Sequence, residues 1–138
     1  MKKCMVKSLS MAAIIVGLTS SHSAWAHHSF AAYDMETCET LEGTVRNYQW
    51  TFPHTWIWLF VANDEGGEDI WGFQGEPPSN LGQDGWTRSS LTKGEKIKIT
   101  FKPIADGRHG GAFSMVEKED GTLLKGPVGH EDPCIPKE

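Results

Sequence analysis

The chain is short of cysteine, of long hydrophobic runs and of basic charge, and each shortage removes a class of function. Its three cysteines, Cys4, Cys38 and Cys134, contain no C-x-x-C pair, so thiol redox catalysis has no basis. The N-terminal apolar run, Met11 to Leu18 (MAAIIVGL), is far shorter than the ~20 residues that span a bilayer. No later segment is longer and as apolar, so no membrane span is expected. Lys and Arg number 13 against 18 Asp and Glu, a formal net charge of −5. Phosphate binding needs clustered cations, so nucleic acid is excluded as a partner, and anionic membrane surfaces with it. There is no nucleophile elbow, no H-E-x-x-H helix and no recognisable Ser/His/Asp set.

What the N-terminus does contain is a secretory signal. Lys2, Lys3 and Lys7 form a basic region ahead of the apolar run, and Ala24-Trp25-Ala26 is an A-x-A cleavage site. Residues 1–26 are therefore read as signal peptide and 27–138 as one small β domain with a Pro-rich tail, destined for the periplasm or secretion. Cleavage removes three of the thirteen basic residues and no acid, leaving ten against eighteen and a net charge of −8. It also leaves two cysteines, Cys38 and Cys134, which in an oxidising compartment are expected to pair.

Strand signals dominate the domain. Thr40–Trp50 alternates, Thr55–Ala62 (TWIWLFVA) is almost wholly apolar, and Ile70–Gln74 returns as its hairpin partner across a turn at Gly66-Gly67. Lys96–Lys102 puts Ile97, Ile99 and Phe101 on one face, and Gly110–Lys118 with Gly121–Lys125 reads as a last hairpin. One short helix is expected, opened by Pro77-Pro78 and ended by Gly85 in a left-handed cap. The fold class is all-β: a small OB-like barrel of five to six short strands, the helix between strands three and four. A small sandwich is the alternative.

Two groups of residues can carry chemistry. After cleavage the domain opens His27-His28-Ser29-Phe30. A free α-amine and the ring of the same histidine can chelate one metal, and nitrogen ligands favour Cu(II). His54, after Pro53 and at the mouth of the most apolar strand, is the third nitrogen; His28 is an alternate. The second group is aromatic. Five of the six tryptophans lie between Trp50 and Trp86, and strand parity sets His54, Trp56, Trp58 and Phe60 on one face opposite Ile57, Leu59 and Val61. That face is covered by the helix or is a ligand platform. The acidic turn Asn63–Asp69 lacks calcium-loop spacing, and His109 sits in a glycine-rich turn, a surface position by default.

Several motifs together resemble an uncharacterised bacterial exported family, numbered 6152 among domains of unknown function. They are Ala26-His27-His28-Ser29-Phe30, Leu41-Glu42-Gly43-Thr44-Val45, Thr51-Phe52-Pro53-His54-Thr55, Trp71-Gly72-Phe73, Gly85-Trp86-Thr87-Arg88 and Leu91-Thr92-Lys93-Gly94-Glu95. The chain departs from the family pattern at Phe52, where Asn is usual, and at His109. The resemblance implies a small exported β domain and no established activity; its motifs include histidines at both positions that a metal site needs.

The functional expectation is a periplasmic binding protein, not an enzyme, holding Cu(II) at His27 and His54. The alternative is an OB-like interaction module that holds a glycan, a peptide or a periplasmic protein on Trp56, Trp58 and Phe60. A copper oxidative enzyme is a third reading, without a recognisable substrate surface to support it.

Overall fold

The structure, a computed structural model, describes residues 30–126 and 132–136. A short 3-10 turn at Phe30–Ala32 precedes β1 (Glu39–Gln49), β2 (Trp56–Ala62) and β3 (Glu68–Gln74). Helix α1 (Pro78–Leu81) continues as a 3-10 turn through Asp84, and β4 (Lys96–Pro103), β5 (Gly110–Lys118) and β6 (Leu123–Lys125) complete the chain order. The sheet runs β3-β2-β1-β4-β5-β6, and a parallel pairing of β3 with β5 closes the first five strands into a barrel. Closure excludes the sandwich. The helix lies between the third and fourth strands, as the OB-like reading requires. Gly85 ends it at φ 88°, a left-handed conformation that glycine adopts without a Cβ penalty.

The alternating pattern explains which residues form the core. Val45, Ile57, Leu59, Phe73, Ile97, Ile99, Phe101 and Val116 point inward and are almost completely buried. Leu81 of the helix and Trp86, just past its Gly85 stop, join the same cluster. The Trp86 indole N–H, which burial would otherwise leave unpaired, donates to the Lys125 carbonyl at 2.6 Å.

Two close approaches depend on glycine. A Cβ on Gly111 would stand 2.3 Å from the Lys102 carbonyl, and one on Gly110 2.2 Å from that of Gly72. The first lies in the β4–β5 pairing and the second in the β3–β5 closure, where Gly72 and Gly110 meet without side chains.

Cys38 and Cys134 are bonded, with Cα atoms 5.5 Å apart across 96 residues of sequence. The bond ties segment 132–136 to the start of β1. Beside it Lys102, on the outward row of β4 and 5% exposed, reaches Asp132 at 2.5 Å and Ser114 at 3.2 Å. Asp132 also accepts from the Cys134 N–H. Burial raises the Asp132 carboxyl pKa, but the hydrogen bonds from Lys102 and Cys134 outweigh it and hold the group below its ordinary value. A lysine on an alternating strand gives no sequence sign of burial.

Candidate functional site

One wall of the barrel brings together most of the residues singled out in the sequence. On β1 a bulge makes Arg46 the extra residue between Val45, opposite Leu59, and Asn47, opposite Trp58. The Val45 N–H and carbonyl turn instead to Glu95 and Gly94. This single insertion resets the alternation. Val45 and Tyr48 face the core, while Asn47 and Gln49 stand outside beside the tryptophans. The outer rows across β1, β2 and β3 are then Gln49–Trp56–Gln74, Asn47–Trp58–Gly72 and Thr44–Phe60–Ile70.

Trp56 and Trp58 stack, ring centroids 5.6 Å apart with planes 17° from parallel. The Trp58 indole lies across the sheet. Its N–H donates to the Gln49 side-chain carbonyl at 3.4 Å, and its benzo ring covers Gly72, where a Cβ would stand 2.6 Å from Cζ3. Phe60 lies beneath the Arg46 guanidinium, 5.8 Å from the ring centroid. Parity thus holds as read: Ile57 and Leu59 are fully buried, whereas Trp56, Trp58 and Phe60 are half-buried. The helix spends Leu81 on the inner core, as does Trp86 just past its Gly85 stop.

His54 stands at the head of this wall, in the loop between β1 and β2 that contains the cis peptide Phe52–Pro53. Its Nδ1 is 3.2 Å from the Gly75 carbonyl. A carbonyl only accepts, so Nδ1 is the donor, and in the neutral ring Nε2 carries the lone pair. Nε2 has no hydrogen-bond partner among the described residues. Beside Gly75, the Gln74 side-chain carbonyl accepts from the Tyr33 hydroxyl at 3.0 Å. Burial raises the Tyr33 pKa above its ordinary value near 10, partly offset by Arg108, which keeps the hydroxyl a donor. Tyr33 bridges to Ile104, and the Ala32 carbonyl accepts from Ala105, so the described N-terminal segment runs alongside the β4–β5 loop.

His27 and His28 lie outside the described residues. Among those described, no three His, Cys, Asp or Glu side chains gather as a metal site, and no helix is long and apolar enough to cross a membrane. His109 is half-exposed, as expected of its loop, but it is engaged: its ring stacks on Trp71 at 4.6 Å and 2°, with Asp69 at 3.8 Å. Sequence reasoning also missed the amide groups of Asn47, Gln49 and Gln74. Their place beside the tryptophans follows from register and from a bulge that no local signal announces.

Beyond Phe60 the outer surface changes character. A groove of about 460 Å³ has mixed charge there, with Glu42, Glu68, Glu117, Lys96 and Lys98 around Thr44.

The profile of the family of unknown function DUF6152 matches residues 16–114. The chain belongs to that family. No curated protein and no solved structure matches it.

Proposed function

We propose that this chain is an exported, periplasmic or secreted, small binding protein that holds one Cu(II) through the α-amine and ring of His27 and the ring of His54. The observation that carries the reading is the orientation of His54. A metal-ligating histidine characteristically donates its second ring N–H to a carbonyl or carboxylate, which fixes the tautomer and turns the other nitrogen to the metal. The Gly75 carbonyl is such a partner, and Nε2 is the nitrogen left over. Tyr33 supports it further, because its contact with Gln74 ties the chain's N-terminal segment one residue from Gly75. His27 precedes Tyr33 by six residues, a length whose full reach is about 20 Å. Export is supported by the A-x-A site after the apolar run and by the Cys38–Cys134 bond, which suits an oxidising compartment.

The test is a competitive Cu(II) titration of protein beginning at His27, beside the same protein with one extra residue ahead of it. The native end is expected to bind one copper at least a hundredfold more tightly than the extended form, and His54→Ala to lose at least tenfold. Affinity falls with acidity below about pH 7.7–8, where the amine must shed a proton to bind. Equal, weak binding by the two forms ends the copper reading.

A further inference from the structure

The wall that carries His54 has a second property, independent of any metal. Its two upper rows, Gln49–Trp56–Gln74 and Asn47–Trp58–Gly72, contain no charged side chain, in a chain of net charge −5. Charge stands at the margins, at Arg46 over Phe60, in the groove beyond, and at Arg108, which acts on Tyr33 beside Gln74. Both glutamine carbonyls are already engaged, Gln49 by the Trp58 N–H and Gln74 by the Tyr33 hydroxyl. Their amide N–H groups have no partner among the described residues, and exposed Asn47 offers a further donor and acceptor.

We infer that this face binds a neutral oligosaccharide. Two stacked indoles present flat apolar surface suited to the C–H face of a pyranose ring, and three carboxamides flank them to meet its hydroxyls. The absence of charge in both rows matches an uncharged ligand. The site lies on the first three strands of an OB-like barrel, and the face of the second and third strands is one that such barrels use for oligosaccharides. The described C-terminal segment does not supply a cover, because it is clamped over Lys102 on the other wall.

The test uses metal-free, disulfide-bonded protein, so that its outcome is separate from the copper reading. Cellohexaose, laminarihexaose and maltohexaose are titrated while tryptophan emission and heat are followed. At least one is expected to bind saturably. Trp56→Ala and Trp58→Ala should each weaken it by roughly tenfold or more, the scale of losing a stacking partner. Gln49→Ala and Gln74→Ala should cost about three- to tenfold, the scale of one hydrogen bond. Trp58→Phe keeps an aromatic face and should retain part of the affinity, which separates lost stacking from misfolding. The inference is overturned if none of the three binds at millimolar concentration or if the tryptophan variants bind unchanged. It is equally overturned if oligogalacturonate or a polyproline peptide binds more tightly than every neutral sugar.

Discussion

The two outer walls of this barrel are treated in opposite ways. On the β4–β5 wall a lysine, Lys102, is buried under segment 132–136 and held by Asp132 and Ser114. On the β2–β3 wall two tryptophans stay half-buried, with no comparable cover from the described chain. Hydrophobicity alone would reverse that choice, because covering the indoles removes apolar area from water, whereas burying an ammonium costs solvation energy. What decides it is the covalent and ionic clamp. Cys134 is bonded to Cys38 and Asp132 is paired with Lys102, so the segment is committed to one wall and does not cover the other. The difference separates a wall clamped for stability from one that we propose serves binding.

That contrast can be broken from the clamped side first. Replacing Cys38 and Cys134 by Ser opens a closure spanning 96 residues. Loss of the chain constraint is expected to lower unfolding free energy by about 4–5 kcal/mol, measured by urea denaturation against the oxidised protein. Glycan binding on the opposite wall should survive at temperatures where the variant is folded.

Removing one partner of the ion pair is next in size. Asp132→Ala strands Lys102 in a site that is 5% exposed and should cost about 3 kcal/mol or more. Lys102→Met with Asp132→Leu should recover most of that loss, since no charge is then left buried. The native pair also responds to acid. The folded Asp132 carboxyl titrates below its ordinary value near 3.8, so its contribution is present above that pH and drains away as pH falls through the lower folded value. Thermal melts from pH 5 to pH 2 should show a larger loss than in the Lys102→Met, Asp132→Leu protein, in which Asp34, Asp106 and Asp120 still titrate below their ordinary value.

The smallest stability change belongs to the open wall. Trp56→Ala should cost about 1–2 kcal/mol, well under the ~3–5 kcal/mol typical of a buried Trp→Ala, because the ring is only half-buried. A cost like that of Trp86→Ala, whose ring is 1% exposed in the core, would mean that Trp56 serves packing rather than recognition.

Much of this was legible from periodicity. The inward rows at Ile57, Leu59, Ile97, Ile99 and Phe101, the outward row at Trp56, Trp58 and Phe60, and the helix stop at Gly85 all follow from residue type and spacing, because strand alternation is local geometry. The Cys38–Cys134 pair followed from the two cysteines that the expected signal cleavage leaves. The bulge at Arg46, which turns Asn47 and Gln49 toward the tryptophans, did not follow, since an inserted residue is seen only against its partner strand. Nor did Lys102–Asp132, whose members lie thirty residues apart and signal nothing alone.

By itself, then, the sequence determined an all-β domain, the two faces of its strands and one expected cysteine pair, because alternation and cysteine count act on short or covalent scales. Closure into a barrel rather than a sandwich came from the β3–β5 pairing. Tertiary structure decided which wall the C-terminal segment covers, which ring nitrogen of His54 is left free, and which amides stand beside the indoles. Those outcomes depend on strand register, on barrel closure and on the distance from Nδ1 to a carbonyl 21 residues away.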